Sequence, residues 1–502
     1  MTKIKQDVNL IDYVHNRKAD YKTTVDELFI LINNYTNQNE LKGFYNYFEK
    51  TYDLPEIVVK QSIRQYIARS YLFRSGKFNS KLTIKNIPKS IMNYGALIYA
   101  LFFANIKTKV NNFKLIIDIV TSLDSMKRWE KLLNLFGSDK VLCITRDTNL
   151  KKDFPKYNFY NKKLFRGINL LDLLKSLFYE FFLGIWLVLR VSLKTRVNLL
   201  PISIKIVQEY LTFKSLFKLN KSQYIIQEQH YGTEPIKNHL FKKLGGIAST
   251  SIQKNIIQLS PIFFNVDLDI LFSLGEEGCD RLYEYGGRID NIEPIGSLFM
   301  EHYWFDNQKE CKKKFDIAIL GINASNAYER LDAYDKFMDD NYSLYRWVAK
   351  LSIENPEYNI VLIHHASQKK EDKIENEILS GSNVKILDKN LNSYEIAFSS
   401  KMAITYGSTM GYELNAHNLP TFFIDPGNRC SFLPEKGIDY IDNMRINSYE
   451  SLSLIAKKII NKDKPLVNKE NFFLNNLCLD SSDVSYKIYK HLILMQVKKN
   501  FQ

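Results

Sequence analysis

A group of small and hydroxyl residues followed by a carboxylate could bind a phosphorylated ligand. It lies in the stretch 402–424, which reads as a buried strand, a tight turn, a short helix and a second buried strand. A helix N-terminus offers unpaired N–H groups and partial positive charge, and small residues let the backbone approach a ligand. Glu413, on the first turn, could accept hydrogen bonds from ribose or sugar hydroxyls. The residues at the helix mouth are Gly407, Ser408, Thr409 and Gly411.

An ordinary helix cap explains the same residues equally well when the segment is taken alone. Ser408 or Thr409 would then bond the first free N–H groups of the helix, with Glu413 at or near the capping-box position. The polar residues that follow other strands favour the interpretation as a ligand-binding site over that as a helix cap.

Further polar residues of the second half also come directly after strand-like runs. Gly321 and Asn323 follow one run, His364 ends a second, and Arg429 lies in the loop after 421–424. Strand ends on one edge of a parallel sheet converge on a crevice, so we expect these residues to lie near one another. His364 alone is as consistent with a core or capping histidine. Its spacing from His365 does not suit a helical metal pair, and the sequence shows no carboxylate partner, so we expect no metal site.

The first half supplies candidates for a general base. Glu228, His230 and Glu234 lie in the loop between a strand-like run and Pro235, which begins a helix. The ordinary pKa of histidine suits proton abstraction from a hydroxyl. The alternative is an ordinary approach to the helix, with Thr233 or Glu234 as its cap.

The elements that must position these residues alternate between short apolar strands and helices in two parts of the chain. This alternation is typical of parallel α/β sheets. A polar, charged bridge at 305–315 separates the two parts. We therefore predict two doubly wound domains with a helical N-terminal part. Their predicted limits are 1–110 for the helical part, 111–305 for the first domain with a helical insertion at 168–219, 316–480 for the second domain and 481–502 for a C-terminal helix.

The second half resembles the nucleotide-sugar domain of GT-B glycosyltransferases, specifically bacterial enzymes of surface-polysaccharide synthesis. The resemblance rests on the strand end 363–365, the element 408–413, and the exit strand 419–424 with Pro420. That group is similar to the glycerophosphotransferases of teichoic acid synthesis. Weaker echoes occur in the first half at 246–255, where Lys254 and Asn255 replace the family's His and Gly, and at 267–297.

The resemblance implies a fold of two Rossmann-like domains facing a cleft, with His364 and residues 408–411 on the donor phosphates and Glu413 on a hydroxyl. It further implies a metal-independent, inverting transferase that needs no cofactor beyond its nucleotide-sugar donor. The acceptor would be a lipid-linked or other surface glycan, such as capsule or O-antigen. Two alternatives stay open: a glycerophosphotransferase that uses a CDP-linked alcohol, and a non-catalytic scaffold on the same fold.

The composition limits the classes of binding partner but does not identify one. The chain has 502 residues, a net charge of +14 and a pI of about 9.1. This excess of basic residues suits phosphate-bearing ligands, nucleic acid or an anionic membrane. We expect no nucleic-acid partner, because no RNP-like motif, helix-turn-helix signal or dense basic stripe occurs. Five scattered cysteines and a polar N-terminus favour the cytoplasm. The basic charge and the segment 170–193 fit a place at the inner face of the cytoplasmic membrane.

The segment 170–193 raises the question of membrane contact. It is long and apolar, but Asp172, Lys175, Glu180 and Arg190 interrupt it, so a spanning helix is disfavoured. It is predicted to be either a core helix of the first domain or an interfacial helix. In the second case Trp186 and other aromatic residues would enter the lipid, and basic residues would bind anionic headgroups.

Overall fold

The computed structural model describes most of the chain. The described residues are 21–73, 92, 110–118, 123–145, 147, 149–161, 174, 178–179, 184–195, 198–230, 233–257, 261–307, 312–321, 334–365, 373–388, 391–426, 444–461 and 473–500. The apolar run 94–103, whose composition predicts a buried helix, and the predicted site residues Asn323 and Arg429 lie outside these ranges.

The first domain is built on a seven-stranded parallel sheet in the order β3-β2-β1-β4-β5-β6-β7. This is the strand order of a Rossmann domain, extended by one strand. Fully buried, mostly apolar strands such as β2 require helices on both faces. The strands are β1 (Asn111–Asp118), β2 (Val141–Thr145), β3 (Asn158–Asn161), β4 (Asn220–Gln227), β5 (Ala248–Ile252), β6 (Asp267–Ser273) and β7 (Arg288–Pro294).

Helices cover both faces of this sheet, and side chains alternate between two cores. Ile116 and Ile225 point to one core, whereas their neighbours Ile117 and Ile226 point to the other. The helices of this part are α1 (Tyr21–Thr36), α2 (Lys42–Tyr52), α3 (Glu56–Phe73), α4 (Leu123–Phe136), α5 (Leu150–Asp153), α6 (Ile185–Thr195), α7 (Leu200–Leu219), α8 (Pro235–Lys243) and α9 (Asp280–Glu284). The N-terminal helices α1–α3 join α6 and α7 in the first core.

The second domain repeats the plan with a six-stranded parallel sheet in the order β10-β9-β8-β11-β12-β13. Its strands are β8 (Phe315–Leu320), β9 (Ile360–Ile363), β10 (Lys385–Leu387), β11 (Ser400–Thr405), β12 (Thr421–Ile424) and β13 (Arg445–Ile446). Its helices are numbered from α11, because α10 (Leu298–Tyr303) belongs to the connection between the domains. They are α11 (Tyr334–Glu354), α12 (Lys373–Leu379), α13 (Ser393–Phe398), α14 (Met410–Ala416) and α15 (Tyr449–Ile460).

The chain returns to the first domain at its C-terminal end. A π-helical turn at Phe473–Leu477 leads to α16 (Val484–Asn500). The Tyr224 hydroxyl on β4 donates to the Leu492 carbonyl of α16 at 2.7 Å. Val484 and Ile488 are buried in the second core of the first domain. The predicted fold class, two doubly wound domains with a helical N-terminal part, is confirmed.

Three strands were not predicted from the sequence: β3, β7 and the two-residue strand β13 at the edge of the second sheet. β3 and β7 are the two edges of the first sheet, and neither carries a run of apolar residues. β7 is mostly exposed or half-buried, so its sequence lacks the burial pattern by which a central strand is recognised. The sequence also predicts a helix over 276–285, whereas the structure has only the shorter α9 there.

The described part of the segment 170–193 has a buried side and an exposed side. In α6, Val188, Val191 and Ser192 are buried against the first core, whereas Trp186 is exposed. Among the described residues, no helix is long and apolar enough to cross a membrane.

Candidate functional site

The carboxyl edges of the two sheets face each other across a cleft. The hydroxyl of Thr409, which follows β11, accepts a hydrogen bond from the backbone N–H of Ile256, which follows β5, at 3.3 Å. Ligands of doubly wound sheets bind outside the carboxyl ends of the strands, at the point where strand order reverses. That point lies between β1 and β4 in one sheet and between β8 and β11 in the other. The candidate site is therefore the cleft over these two points.

A buried ion pair lies over the reversal point of the first sheet. Arg128 of α4 donates through Nη2 to Glu228, the residue after β4, at 2.8 Å. Arg128 also donates through Nη1 to Asp124 at 2.8 Å and to the Tyr303 hydroxyl at 3.1 Å. Its guanidinium lies 4.3 Å from the centroid of the Phe299 ring. Glu228 thus lies at the cleft as predicted, but its carboxylate is already paired with the guanidinium of Arg128.

Lys254 is a cation at the cleft that forms no salt bridge with the described residues. It follows β5 and its Nζ lies 5.7 Å from the centroid of the Phe299 ring. No carboxylate in the described part of the chain comes within the 4.0 Å of Nζ that defines a salt bridge. Burial lowers the pKa of Lys254, and the charge of Glu228 opposes this shift while that of Arg128 adds to it. A half-buried ammonium without a close counter-ion suits an anionic ligand.

The two histidines after β9 differ in their surroundings. His364 binds through Nε2 to Glu375 of α12, so the carboxylate partner that the sequence did not show exists in the structure. His365 is accessible to solvent at the cleft wall. Two causes lower the pKa of His365. The larger is partial desolvation, and the smaller is the positive charge of Lys254 on the opposite domain. His365 rather than His364 therefore faces the cation of the other domain.

The turn before α14 is half-buried and borders the cleft. Ser408 accepts from the Met410 N–H at 3.3 Å, whereas the Thr409 side chain makes no cap bond and turns to Ile256. A Cβ on Gly411 would lie 2.8 Å from the Phe423 ring, so this glycine is required for packing of α14 on β12. Gly407 is buried. With seven residues, α14 is short, so the helix end alone offers little to a phosphate.

Glu413 lies in a packed environment. Its Oε2 accepts from the Tyr394 hydroxyl at 2.6 Å, and its Oε1 accepts from Ser297, the cap of α10. Burial raises the pKa of Glu413, against the hydrogen bonds of Ser297 and Tyr394. Glu413 therefore ties α14 to the connection between the domains. Glu413 is 3% exposed, so the predicted contact with a ribose or sugar hydroxyl would require this packing to open.

His230 is fully buried, which does not favour its predicted role as a base. Its ring stacks on Phe263 with centroids 5.3 Å apart, and Nδ1 accepts from the Lys254 N–H at 3.3 Å. Burial lowers the pKa of His230 to about 3. The imidazole is thus neutral near pH 7 and supports the backbone that presents Lys254.

Glu234 belongs to a different cluster. It precedes Pro235 at the start of α8, as predicted, but makes no side-chain cap bond. Its carboxylate pairs with the buried Lys237 at 3.0 Å, and Lys237 also binds Asp118 at 2.7 Å. Glu234 therefore helps to neutralise the buried charge of Lys237 next to the first sheet.

Gly321 lies at the reversal point of the second sheet. Its N–H donates to the Ile363 carbonyl at 2.9 Å, and a Cβ there would lie 3.0 Å from the same oxygen. The close approach of the ends of β8 and β9 explains this glycine.

An open cavity lies at the opposite edge of the first sheet. It has a volume of about 850 Å³. Its charges pair among themselves, with Arg288 binding Asp267 at 3.1 Å and Lys242 binding Asp269 at 2.5 Å. This saturated network leaves little charge for a ligand, so the cleft is the better candidate. No three His, Cys, Asp or Glu side chains of the described ranges group so as to hold a metal ion.

Sequence reasoning missed Arg128, and noticed Lys254 only as a departure from the family pattern. Arg128 and Asp124 have the spacing of an ordinary exposed pair on a helix. Lys254 carried a usable signal, because it follows a predicted strand as the other site residues do.

Similar solved structures span most of the chain at low identity. They include S. aureus MnaA in a co-structure with UDP (12% identity, TM-score 0.46, 76% of this chain and 96% of that chain). UDP-GlcNAc 2-epimerase from Methanocaldococcus jannaschii has 11% identity and a TM-score of 0.44, covering 76% of this chain and 100% of that chain. MurG of Acinetobacter baumannii has 12% identity and a TM-score of 0.38, covering 76% and 99%. At these values the likenesses are too remote to bear on activity. No protein-family model and no curated protein matches the chain.

Proposed function

We propose that the chain is an enzyme that binds a nucleotide sugar in the cleft between its two domains. Lys254 carries the proposal, because it is a half-buried cation at the carboxyl edge of one sheet and faces His365 at the edge of the other. A diphosphate or monophosphate would supply the anion that Lys254 lacks among the described residues.

The chemistry that this arrangement supports best is metal-independent, inverting transfer of the sugar to a surface-glycan acceptor. Charge develops on the leaving nucleotide in the transition state, and a fixed cation in a cleft from which water is partly excluded stabilises it. Lys254 would perform this role on the donor phosphates, with Ser408, Thr409 and His364 as further predicted contacts. The acceptor, lipid-linked or otherwise, would be met at the inner face of the cytoplasmic membrane.

An acceptor hydroxyl must also lose its proton, and Asp124 is the carboxylate best placed for this. Glu228, the predicted base nearest the cleft, keeps only 4% of its side-chain surface exposed and is paired with Arg128, so an acceptor hydroxyl has little access to its carboxylate. Asp124 shares the same Arg128, accepts from the Tyr303 hydroxyl, and keeps 57% of its side-chain surface exposed. We therefore assign Glu228 to holding Arg128 and Asp124 to the acceptor hydroxyl.

A melting-shift screen with UDP, GDP, CMP and CDP tests the proposal first. A ligand at about 100 times its Kd stabilises a protein by about 2.7 kcal/mol, so at least one nucleotide should raise the melting temperature clearly. The matching nucleotide sugar is then supplied with lipid-linked glycan acceptors, and transfer is measured. Asp124→Asn should lower kcat while leaving donor affinity unchanged.

The same screen separates the alternatives. Stabilisation by CDP alone, with turnover of a CDP-linked alcohol, would identify the glycerophosphotransferase chemistry instead. Stabilisation by none of the four nucleotides would refute the proposal and leave a scaffold.

A further inference from the structure

One helix of the first domain presents apolar and basic side chains to solvent on the same face. Trp186 is 70% exposed and Leu193 is 64% exposed, the two most exposed large apolar side chains of α6. Arg190 and Lys194 are also exposed. Positions 186, 190, 193 and 194 follow helical spacing, so these four side chains share one face of α6. We call them the α6 surface.

The rest of α6 is fixed to the protein, so this exposure is not a consequence of a loose helix. Val188, Val191 and Ser192 are buried in the first core. The Ser192 hydroxyl accepts from the Leu199 N–H at 3.0 Å, which joins α6 to the start of α7. The α6 surface is therefore held outward by a helix whose other side is already packed.

We propose that the α6 surface docks on an anionic lipid membrane. A solvent-exposed tryptophan beside an exposed leucine matches the apolar side of an interfacial helix, and tryptophan favours the headgroup region. The helix contains no Asp or Glu, and its two exposed charges are both basic. A surface of that composition is attracted to phosphate headgroups, and the chain as a whole adds a net charge of +14.

The apolar exposure continues on the N-terminal side of α6. Leu174 is 53% exposed and Phe178 is 57% exposed, and both residues are helical. Phe178 precedes Trp186 by eight residues and Leu174 precedes it by twelve. The apolar area that could enter a lipid headgroup layer is thus wider than α6 alone.

A second copy of the chain is a poorer partner for the same surface. A symmetric contact through α6 would place Arg190 and Lys194 of one copy near those of the other, and like charges repel. A lipid surface meets the same residues with opposite charge. The proposal does not depend on the reaction in the cleft, because none of the four residues lies there.

Vesicle co-sedimentation of the full chain tests the proposal. Vesicles of phosphatidylcholine alone are compared with vesicles of phosphatidylcholine and phosphatidylglycerol in equal parts. The wild-type protein should bind the anionic vesicles and not the neutral ones, and added salt should weaken binding. Trp186→Ser with Leu193→Ser, and separately Arg190→Glu with Lys194→Glu, should each lower the partition coefficient about tenfold or more.

The control is Leu454→Ser, which removes a leucine of similar exposure, 55%, from α15 of the second domain. It should leave vesicle binding unchanged, and all variants should keep the wild-type melting temperature because the altered side chains are exposed. Wild-type failure to bind anionic vesicles, or full binding by both double variants, would overturn the proposal. Light scattering that shows a dimer lost on Leu193→Ser, with no vesicle binding, would also overturn it and assign the surface to self-association.

Discussion

The hydroxyl of Thr409 accepts the Ile256 N–H at 3.3 Å, and this bond joins the carboxyl edges of two separate parallel sheets. Thr409 follows β11 and Ile256 follows β5, so the two residues belong to different domains. Lys254 lies two residues before Ile256 and is therefore held opposite the second domain. The bond therefore brings residues of both domains to the same cleft, where one ligand could contact both.

Replacement of Lys254 by methionine should weaken nucleotide binding without lowering the stability of the fold. Nucleotide affinity should fall by about tenfold or more, because the fixed charge opposite the phosphates is lost. Stability should stay the same or rise slightly, since burial lowers the pKa of this lysine and a neutral side chain avoids that cost. Calorimetric titration and thermal melting measure the two quantities. Lys458→Met, which alters an exposed lysine on α15, is the control and should change neither. Equal affinity in wild type and Lys254→Met would place the phosphates elsewhere.

The Arg128–Glu228 pair should behave as a buried unit. Arg128→Ala leaves the Glu228 carboxylate buried without its partner and should cost about 3–5 kcal/mol of unfolding free energy. Arg128→Met combined with Glu228→Gln should recover much of that loss, because no unpaired charge remains. Urea denaturation of Arg128→Met, Glu228→Gln and the variant that combines them gives the coupling energy of the pair. Additive losses would show that the two residues act independently.

Glu413 should reveal its burial through the pH dependence of stability. Burial raises its pKa in the folded protein above the ordinary 4.5. The folded state then holds a proton more tightly than the unfolded state. The stability from this group is therefore present below pH 4.5 and is lost as pH rises through the folded pKa. Glu413→Gln cannot titrate and escapes this loss.

The measurement is the difference in unfolding free energy between Glu413→Gln and wild type, from pH about 4 to about 8. This difference should move in favour of the variant as pH rises and then level off. A difference that does not vary with pH, together with weaker nucleotide binding by Glu413→Gln, would instead support the hydroxyl contact predicted from the sequence.

His230 should stay neutral at every pH where the protein is folded and active. Burial lowers its pKa from 6.5 to about 3. The unfolded chain binds a proton below pH 6.5 and the folded protein does not, so stability falls as pH drops from there towards 3. NMR of labelled imidazoles should show one histidine signal, absent in His230→Gln, that does not titrate near neutral pH. A normal titration of that signal would restore His230 as a possible base.

The fold could be predicted from the sequence where strands are buried on both faces. β9 and β12 are short runs of buried apolar residues, and their positions were predicted to within a residue. β3 and β7 could not be predicted in the same way, because sheet-edge strands carry polar residues and no apolar run. The alternation of strands and helices was enough to predict two doubly wound domains.

The convergence of the residues that follow strands could be predicted from the sequence, but their side-chain contacts could not. Residues after strands do converge on the cleft, as Glu228, Thr409 and His365 show. The partners of those residues come from distant parts of the chain and leave no local pattern. Arg128 meets Glu228 across 100 residues, and Glu413 meets Ser297 across 116. The sequence could therefore identify the carboxylates without showing that packed partners already occupy them.

A crystal structure of the protein grown with the nucleoside diphosphate that raises its melting temperature most would test the central claim directly. We expect the diphosphate to lie in the cleft, within hydrogen-bond distance of Lys254 and beside the turn that carries Ser408 and Thr409. A nucleotide bound instead in the open cavity between Arg288 and Lys242, with the cleft empty, would contradict the account.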